Sequence, residues 1–160
     1  MTFYRKWSIS CLLACVAFAT LPTSANAAGS QPTDEMIAPL RAFINAYNDA
    51  TMLPPKDAFT SDCTTIDIIA PYSWTGDDAI LRWWQDTAGA ADEKIHARFL
   101  AAHVHVTLDE IGNALVKGDR VYLTAKVHLT ATIGLDEHFS WIVVEISTPD
   151  GWRIQNQAWE

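Results

Sequence analysis

Asp67 has the most suggestive surroundings for chemistry in this chain. It is the one carboxylate in the run Thr65-Ile66-Asp67-Ile68-Ile69-Ala70, which reads as a strand stopped by Pro71, and Trp74, Trp83 and Trp84 follow closely. A carboxylate walled by apolar and aromatic groups can do three things. It can take a proton as a general base, anchor a donor group of a ligand, or accept from backbone N–H groups of the next loop. The sequence leaves all three open. Six tryptophans lie beyond residue 27, and Trp74, Trp83 and Trp159 are the expected walls of a pocket beside Asp67, as large rigid surfaces suited to a ring-shaped ligand.

Other polar groups form weaker patterns. Tyr47, on a predicted helix, is a core-edge aromatic or a hydrogen-bond donor into the same pocket. His103 and His105 share one side of a predicted strand, a spacing found in metal sites, and Asp109, His128 or His138 could add ligands. These histidines alternate with core-facing valines, however, so a solvent-side or interface role is expected and no metal is assigned. His128 could pair with Asp67 as acid and base only if it faced inward, which the alternation with Val127 and Leu129 opposes. Ser73 and Ser140 lack a nucleophile-elbow motif, and no glycine-rich phosphate loop follows a strand. No cofactor is implied.

The elements that must position these residues follow from the hydrophobic pattern. Thr33 caps a first helix whose acidic start, Asp34 and Glu35, suits the helix dipole. Met36, Leu40, Phe43 and Tyr47 share one face, with Ile37 and Ile44 beside it; Pro39 is tolerable only near the first turn. Leu53-Pro54-Pro55 ends that helix, and Lys56 to Thr60 allows one or two helical turns. After the Asp67 strand, a second helix is expected from about Thr75 to Ala88. Thr75 or Asp77 would cap it, Ile80, Trp83, Trp84 and Thr87 would face inward, and Gly89 would stop it. From about Phe99 the period becomes two. Long strands separated by Lys117-Gly118-Asp119, Gly134-Leu135-Asp136 and Pro149-Asp150-Gly151 predict an antiparallel meander. His138–Ser147 is apolar on both faces: Phe139, Trp141 and Val143 on one, Ile142, Val144 and Ile146 on the other. A second copy of the chain is the expected cover for the second face.

Met1–Ala27 reads as an export signal: Arg5 and Lys6, an uncharged run from Trp7 to Leu21 too short to span a bilayer, and a small-x-small cleavage site at Ala25-Asn26-Ala27. A lipoprotein-type reading of Leu12-Leu13-Ala14-Cys15 is disfavoured by the apolar residues that follow. The expectation is a periplasmic or secreted protein with no membrane contact after signal removal: a loose leader, 28–32, then one domain, 33–160. That form keeps only Cys63, expected to be a buried apolar residue, so packing rather than a disulfide must hold the domain. The formal charge of −8 becomes −10 once Arg5 and Lys6 are lost. This acidity, with no basic run, disfavours nucleic acid as a partner, and none is expected.

The order of these elements resembles the nuclear transport factor 2-like superfamily, which includes SnoaL-like and ketosteroid-isomerase-like proteins. The resemblance is carried by Phe43-Ile44-Asn45-Ala46-Tyr47-Asn48, Phe59-Thr60-Ser61-Asp62-Cys63, Trp74-Thr75-Gly76, Gly118-Asp119-Arg120-Val121-Tyr122 and Asp150-Gly151-Trp152-Arg153-Ile154. It implies an α+β, cone-shaped fold in which a strongly bent antiparallel sheet packs on N-terminal helices around a cavity. Members include isomerases, dehydratases, cyclases and binding proteins without chemistry, so fold alone does not select an activity. In the isomerase branch a strand aspartate acts as general base, and that position falls on Asp67. The two oxyanion donors of that branch fall on Phe43 and near Ile142, and neither side chain can donate. The reading that results is a binding protein for a small hydrophobic or aromatic compound, with Phe43, Tyr47, Asp67, Trp74, Trp83 and Trp159 as ligand contacts. The alternative is a cofactor-free isomerase, dehydratase or cyclase with Asp67 as base.

Overall fold

The computed structural model describes residues 29–49, 53–87 and 101–160. The expected export signal, the stop at Gly89 and the strand onset at Phe99 lie outside them. Helix α1 spans Asp34–Asn48, and the Thr33 hydroxyl accepts from the Met36 N–H at 3.4 Å as its cap. Leu40, Phe43 and Ile44 of its predicted stripe are buried, and so is Pro39, which sits in the second turn without breaking the helix. A single 3-10 turn at Lys56–Ala58 leads into strand β1, Phe59–Ile66.

The first strand departs from the expected Thr65–Ala70. It begins six residues earlier and ends before Asp67, because Phe59, Cys63 and Thr65 are its buried positions while Ile66, Ile68 and Ile69 are exposed. Strand β2, Ser73–Thr75, folds back on it with Thr65 opposite Trp74. Helix α2 therefore starts at Ala79, not Thr75, and runs to Thr87. Its approach is fixed by the Arg82 guanidinium, which donates to the Thr75 carbonyl at 2.6 Å. Ile80, Trp83 and Trp84 are its buried face, as the spacing predicts.

The remaining strands are β3 (His105–Ile111), β4 (Leu115–Lys117), β5 (Arg120–Ala131), β6 (Leu135–Thr148) and β7 (Gly151–Trp159). The sheet order is β2-β1-β7-β6-β5-β3, with β4 pairing β5. Strands β5, β6 and β7 form the expected meander. The sheet is antiparallel except at one seam, where β1 lies parallel to β7 with Thr65 opposite Gln157. A buried polar relay closes that seam: the Trp141 indole donates to Gln157 Oε1 and the Gln157 amide donates to Thr65 Oγ1, each at 3.1 Å. Every member has a partner, so the polar atoms cost little in burial. At the opposite edge, the Asn48 side chain acts as a strand fragment. It accepts from the Val106 N–H and donates to the Val106 carbonyl, both at 2.8 Å, tying the end of α1 to β3. His103 has a left-handed backbone (φ 47°) in the turn before β3, so it does not share a strand face with His105.

Val121, Leu123, Ala125 and Val127 of β5 face the helices together with Trp141 and Val143 of β6. Glu145 follows on the same inner side, opposite Val121 and Ile154, fully buried and with neither carboxylate oxygen hydrogen-bonded. Burial raises its pKa from the ordinary 4.5 to about 8, so the folded chain holds it as a neutral acid at neutral pH. Between these two values the unfolded chain has released the proton and the folded chain has not. Stability attributable to this group therefore falls as pH rises from about 4.5 and levels off above about 8. The expected outcome for Glu145→Gln is a flatter urea-stability profile, with the variant gaining about 2–4 kcal/mol on the parent between pH 5 and 8. Parallel profiles for the two proteins would rule out a buried neutral Glu145.

Candidate functional site

An aromatic cluster centred on Phe43 builds both the core and the wall of a cavity. The Phe43 ring lies 5.0 Å from Trp141, 5.3 Å from Trp84, 5.5 Å from Trp159 and 5.7 Å from Trp83, centroid to centroid. Trp159 stacks on Trp141 at 4.6 Å with the rings 13° apart, which fixes the angle of the wall. These offset and edge contacts add about 0.5–1.5 kcal/mol per pair beyond plain burial. The cavity beside the cluster measures about 200 Å³. Phe43 and Tyr47 line it from α1, Trp83 and Thr87 from α2, and Val106, Val127, Leu129, Phe139 and Trp159 from the sheet. Asp67, Ile68 and Ile69, in the loop after β1, complete the wall at the mouth.

Asp67 is held from two sides. Its Oδ2 accepts from the Trp83 indole N–H at 2.8 Å, and its Oδ1 accepts from the Ile69 backbone N–H at 3.1 Å. Its own N–H donates to the Tyr72 carbonyl at 3.2 Å, and the Tyr72 N–H donates to the Ile69 carbonyl at 2.8 Å. This compact loop presents the carboxylate to the cavity while Ile68 and Tyr72 remain more than 60% exposed. Tyr47 stands across from it. Burial first, then the charge of Asp67, pushes its phenol far above the ordinary range, so the hydroxyl is neutral. The Trp159 indole N–H is buried and has no hydrogen-bond partner, an unmet donor within the same wall residue that stacks on Trp141.

Of the six residues expected at a ligand site, Phe43, Tyr47, Asp67, Trp83 and Trp159 meet around one cavity. Trp74 does not: it is buried in the core beyond β1, and its indole donates to Asp86 at 2.7 Å. The β1–β2 hairpin causes this difference by turning residue 74 back along the strand. His128 lies on the other face of the sheet, bonded to Asp136, and does not approach the cavity. Ile142, near the expected second donor position, also faces outward and is 47% exposed. The wall positions Val127, Leu129 and Phe139 were not singled out from the sequence, although the strand alternation places all three on the inner face. Ile68 and Ile69 carried no such signal, because a strand reading hides the loop.

No family model matches the sequence, and no curated protein matches it. Solved structures do match in fold. A nuclear transport factor 2-like protein of unknown function from Pseudomonas putida superposes with a TM-score of 0.62 at 12% identity, over 79% of this chain and 83% of the other. A nuclear transport factor 2-like protein with a cystatin-like fold from Novosphingobium aromaticivorans gives 0.55 at 20% identity, over 78% and 76%. A ketosteroid isomerase-like protein from Shewanella frigidimarina gives 0.51 at 14% identity, over 79% and 94%. The chain has the nuclear transport factor 2-like fold, an α+β cone of bent, unclosed sheet against helices.

The Asp67–Trp83 bond joins the loop at the cavity mouth to α2. A double-mutant cycle with Asp67→Ala and Trp83→Phe should return a coupling of about 1.5–3 kcal/mol in urea unfolding, the range for a hydrogen bond to a charged group. Additive single effects would show that the two side chains do not hold each other.

Proposed function

We propose that this chain is an exported binding protein for a small hydrophobic or aromatic compound, without turnover. The supporting observation is a cavity of about 200 Å³ walled almost wholly by aromatic and aliphatic side chains, with Asp67 and Tyr47 as its convergent polar groups. That size is below the ~300–1,000 Å³ of pockets for drug-sized molecules, which favours one or two rings over a steroid. The Asp67 carboxylate accepts only, so it favours a ligand bearing a donor: a phenol, an indole or an aromatic amine. The acidity of the chain disfavours an aromatic anion.

Catalysis is the second reading, and the Asp67–Tyr47 pair supports it as a base facing a neutral hydroxyl. Against it, Phe43 cannot donate and Ile142 faces away, so a developing enolate would lack the paired donors that carry most of such catalysis. The two readings separate in one experiment. Tryptophan fluorescence should detect a neutral phenol, indole or aromatic amine, and Asp67→Asn should weaken the best of them about 5–30-fold. Leu129→Trp, which fills the cavity, should abolish binding with the fold retained by circular dichroism. Turnover lost in Asp67→Asn with affinity retained would establish the enzyme reading instead. Binding that is unchanged in Leu129→Trp would reject the cavity altogether.

Two further parts of the reading concern the chain as a whole. Export, to the periplasm or beyond, rests on the leader read from residues 1–27. A homodimer rests on the outer face of the sheet, where Tyr122, Ile142 and Leu115 are each more than 40% exposed and Val144 and Ile146 add to the patch. The exported chain should begin at Ala28 and scatter light as two copies, and Ile142→Lys should convert it to one. A parent protein that is already monomeric at micromolar concentration would remove the dimer.

A further inference from the structure

On the outer face of the sheet, three adjacent strands bring two histidines and two carboxylates together. His128 of β5 and His138 of β6 are direct cross-strand partners, with their rings stacked at 4.1 Å and 14°. Asp136 precedes His138 on the same face, and its Oδ1 lies 2.6 Å from His128 Nε2. From the other side, Asp109 of β3 places Oδ2 at 4.0 Å from His128 Nδ1. Asp109 reaches this position because β3 is irregular between Leu108 and Glu110, an extra-residue bulge that re-aims a side chain. Thr107 Oγ1 donates to Asp109 Oδ1 at 2.6 Å and leaves Oδ2 directed at the histidine.

Each ring nitrogen of His128 stands against a carboxylate, Nε2 against Asp136 and Nδ1 against Asp109. An ion held between Nδ1 and Asp109 Oδ2 would take one ligand from each. We infer that Asp109, His128 and His138 form a surface site for a late first-row divalent cation of the zinc, cobalt or nickel kind. One ligand atom from each of the three lies within 4.8 Å of the others. Tetrahedral ligands at ~2.1 Å stand about 3.4 Å apart, so closing the set takes rotamer changes of about an ångström that also tilt the two imidazoles out of their parallel stack. Two imidazoles and a carboxylate suit these metals and not magnesium or calcium, which take oxygen ligands. Asp136 is a positioning residue: its bond to Nε2 fixes the ring and makes Nδ1 the better donor, the carboxylate–histidine–metal arrangement. Lys126, one pair along and bonded to Ser140 at 3.4 Å, is one cation beside two carboxylates and does not cancel their charge. The exposure of Asp109 and His138 leaves the remaining coordination positions to water or a further ligand. Nothing in this site depends on the cavity, which lies on the opposite face of the sheet.

The test is a calorimetric titration of tag-free, chelator-treated protein with zinc, and with cobalt, whose visible absorption reports its ligand geometry. The expected result is one ion per chain at micromolar affinity, with His128→Ala and His138→Ala each weakening it at least 30-fold. Asp136→Asn should weaken it about 10-fold, with the cobalt spectrum kept, as for an orienting partner. His105→Ala, an exposed histidine on the same strand as Asp109, should leave affinity unchanged. No binding by the parent protein would overturn the inference. So would affinity in the His128 and His138 variants equal to the parent's, or a loss in His105→Ala as large as theirs, since each would mean scattered adventitious contacts only.

Discussion

The Phe43 ring is the constraint on which the rest of this structure depends. It touches aromatic groups from α1, α2, β6 and β7, so it sets how far these two helices stand from the sheet. A smaller side chain here would enlarge the cavity at a cost in stability; a larger one would fill it. The same ring also explains why the position can hold a wall but not polarise a ligand. Its edge and face contacts are all used for packing, and it has no polar atom to offer.

Two polar devices let the sheet bend around that centre without losing its hydrogen bonds. At the parallel seam, Gln157 links Thr65 to Trp141 and thereby couples the loop-bearing strand β1 to the aromatic wall. At the far edge, Asn48 supplies to Val106 the pair of backbone-like bonds that a neighbouring strand would supply. Asn48 satisfies backbone groups of β3 that face no strand, whereas Gln157 sits in regular register and joins two side chains across the seam. Glu145, like the Trp159 indole N–H, is left without such a partner. Its carboxyl is buried on the same inner face with no partner, and the fold accommodates it by keeping it neutral.

Much of this was legible in the sequence because periodicity is a local property. The α1 stripe, the inner side of α2 and the alternation of β5 all follow from spacing and agree with the burial observed. The Asp67 strand was misplaced for a reason that is equally physical. Ile66, Ile68 and Ile69 look like core residues, but an isoleucine at a cavity mouth has the same sequence signature as one in a core. Only the tertiary arrangement distinguishes them. Trp74 was placed in the cavity for its type and proximity, and the hairpin between β1 and β2 overrode both. Asp109, His128 and His138 carried a sequence signal only as additions to the His103/His105 pair, and their meeting without that pair was not legible. They come from three strands, and their meeting depends on a register and a bulge that no single segment encodes.

The alternation of β5 and β6 divides the molecule chemically. Inward positions are apolar almost without interruption and build the cavity; outward positions carry His128, His138, Lys126 and Thr124. Because side chains alternate strictly along a strand, neither set can be changed by a register slip without exchanging both at once. A slip of one residue would bury the histidines with their carboxylates and expose the valines, costing several kcal/mol for each charge desolvated. The outward histidines, lysine and threonine therefore add to the register specified by the apolar inner row, while the outward Ile142, Val144 and Ile146 of β6 do not. The bulge at Asp109 is tolerated because it lies on β3, the terminal strand of the sheet order, where one displaced residue disturbs pairing with β5 alone. The same edge position that permits the irregularity brings Asp109 beside His128, so the local freedom of an edge strand is what assembles the outer cluster.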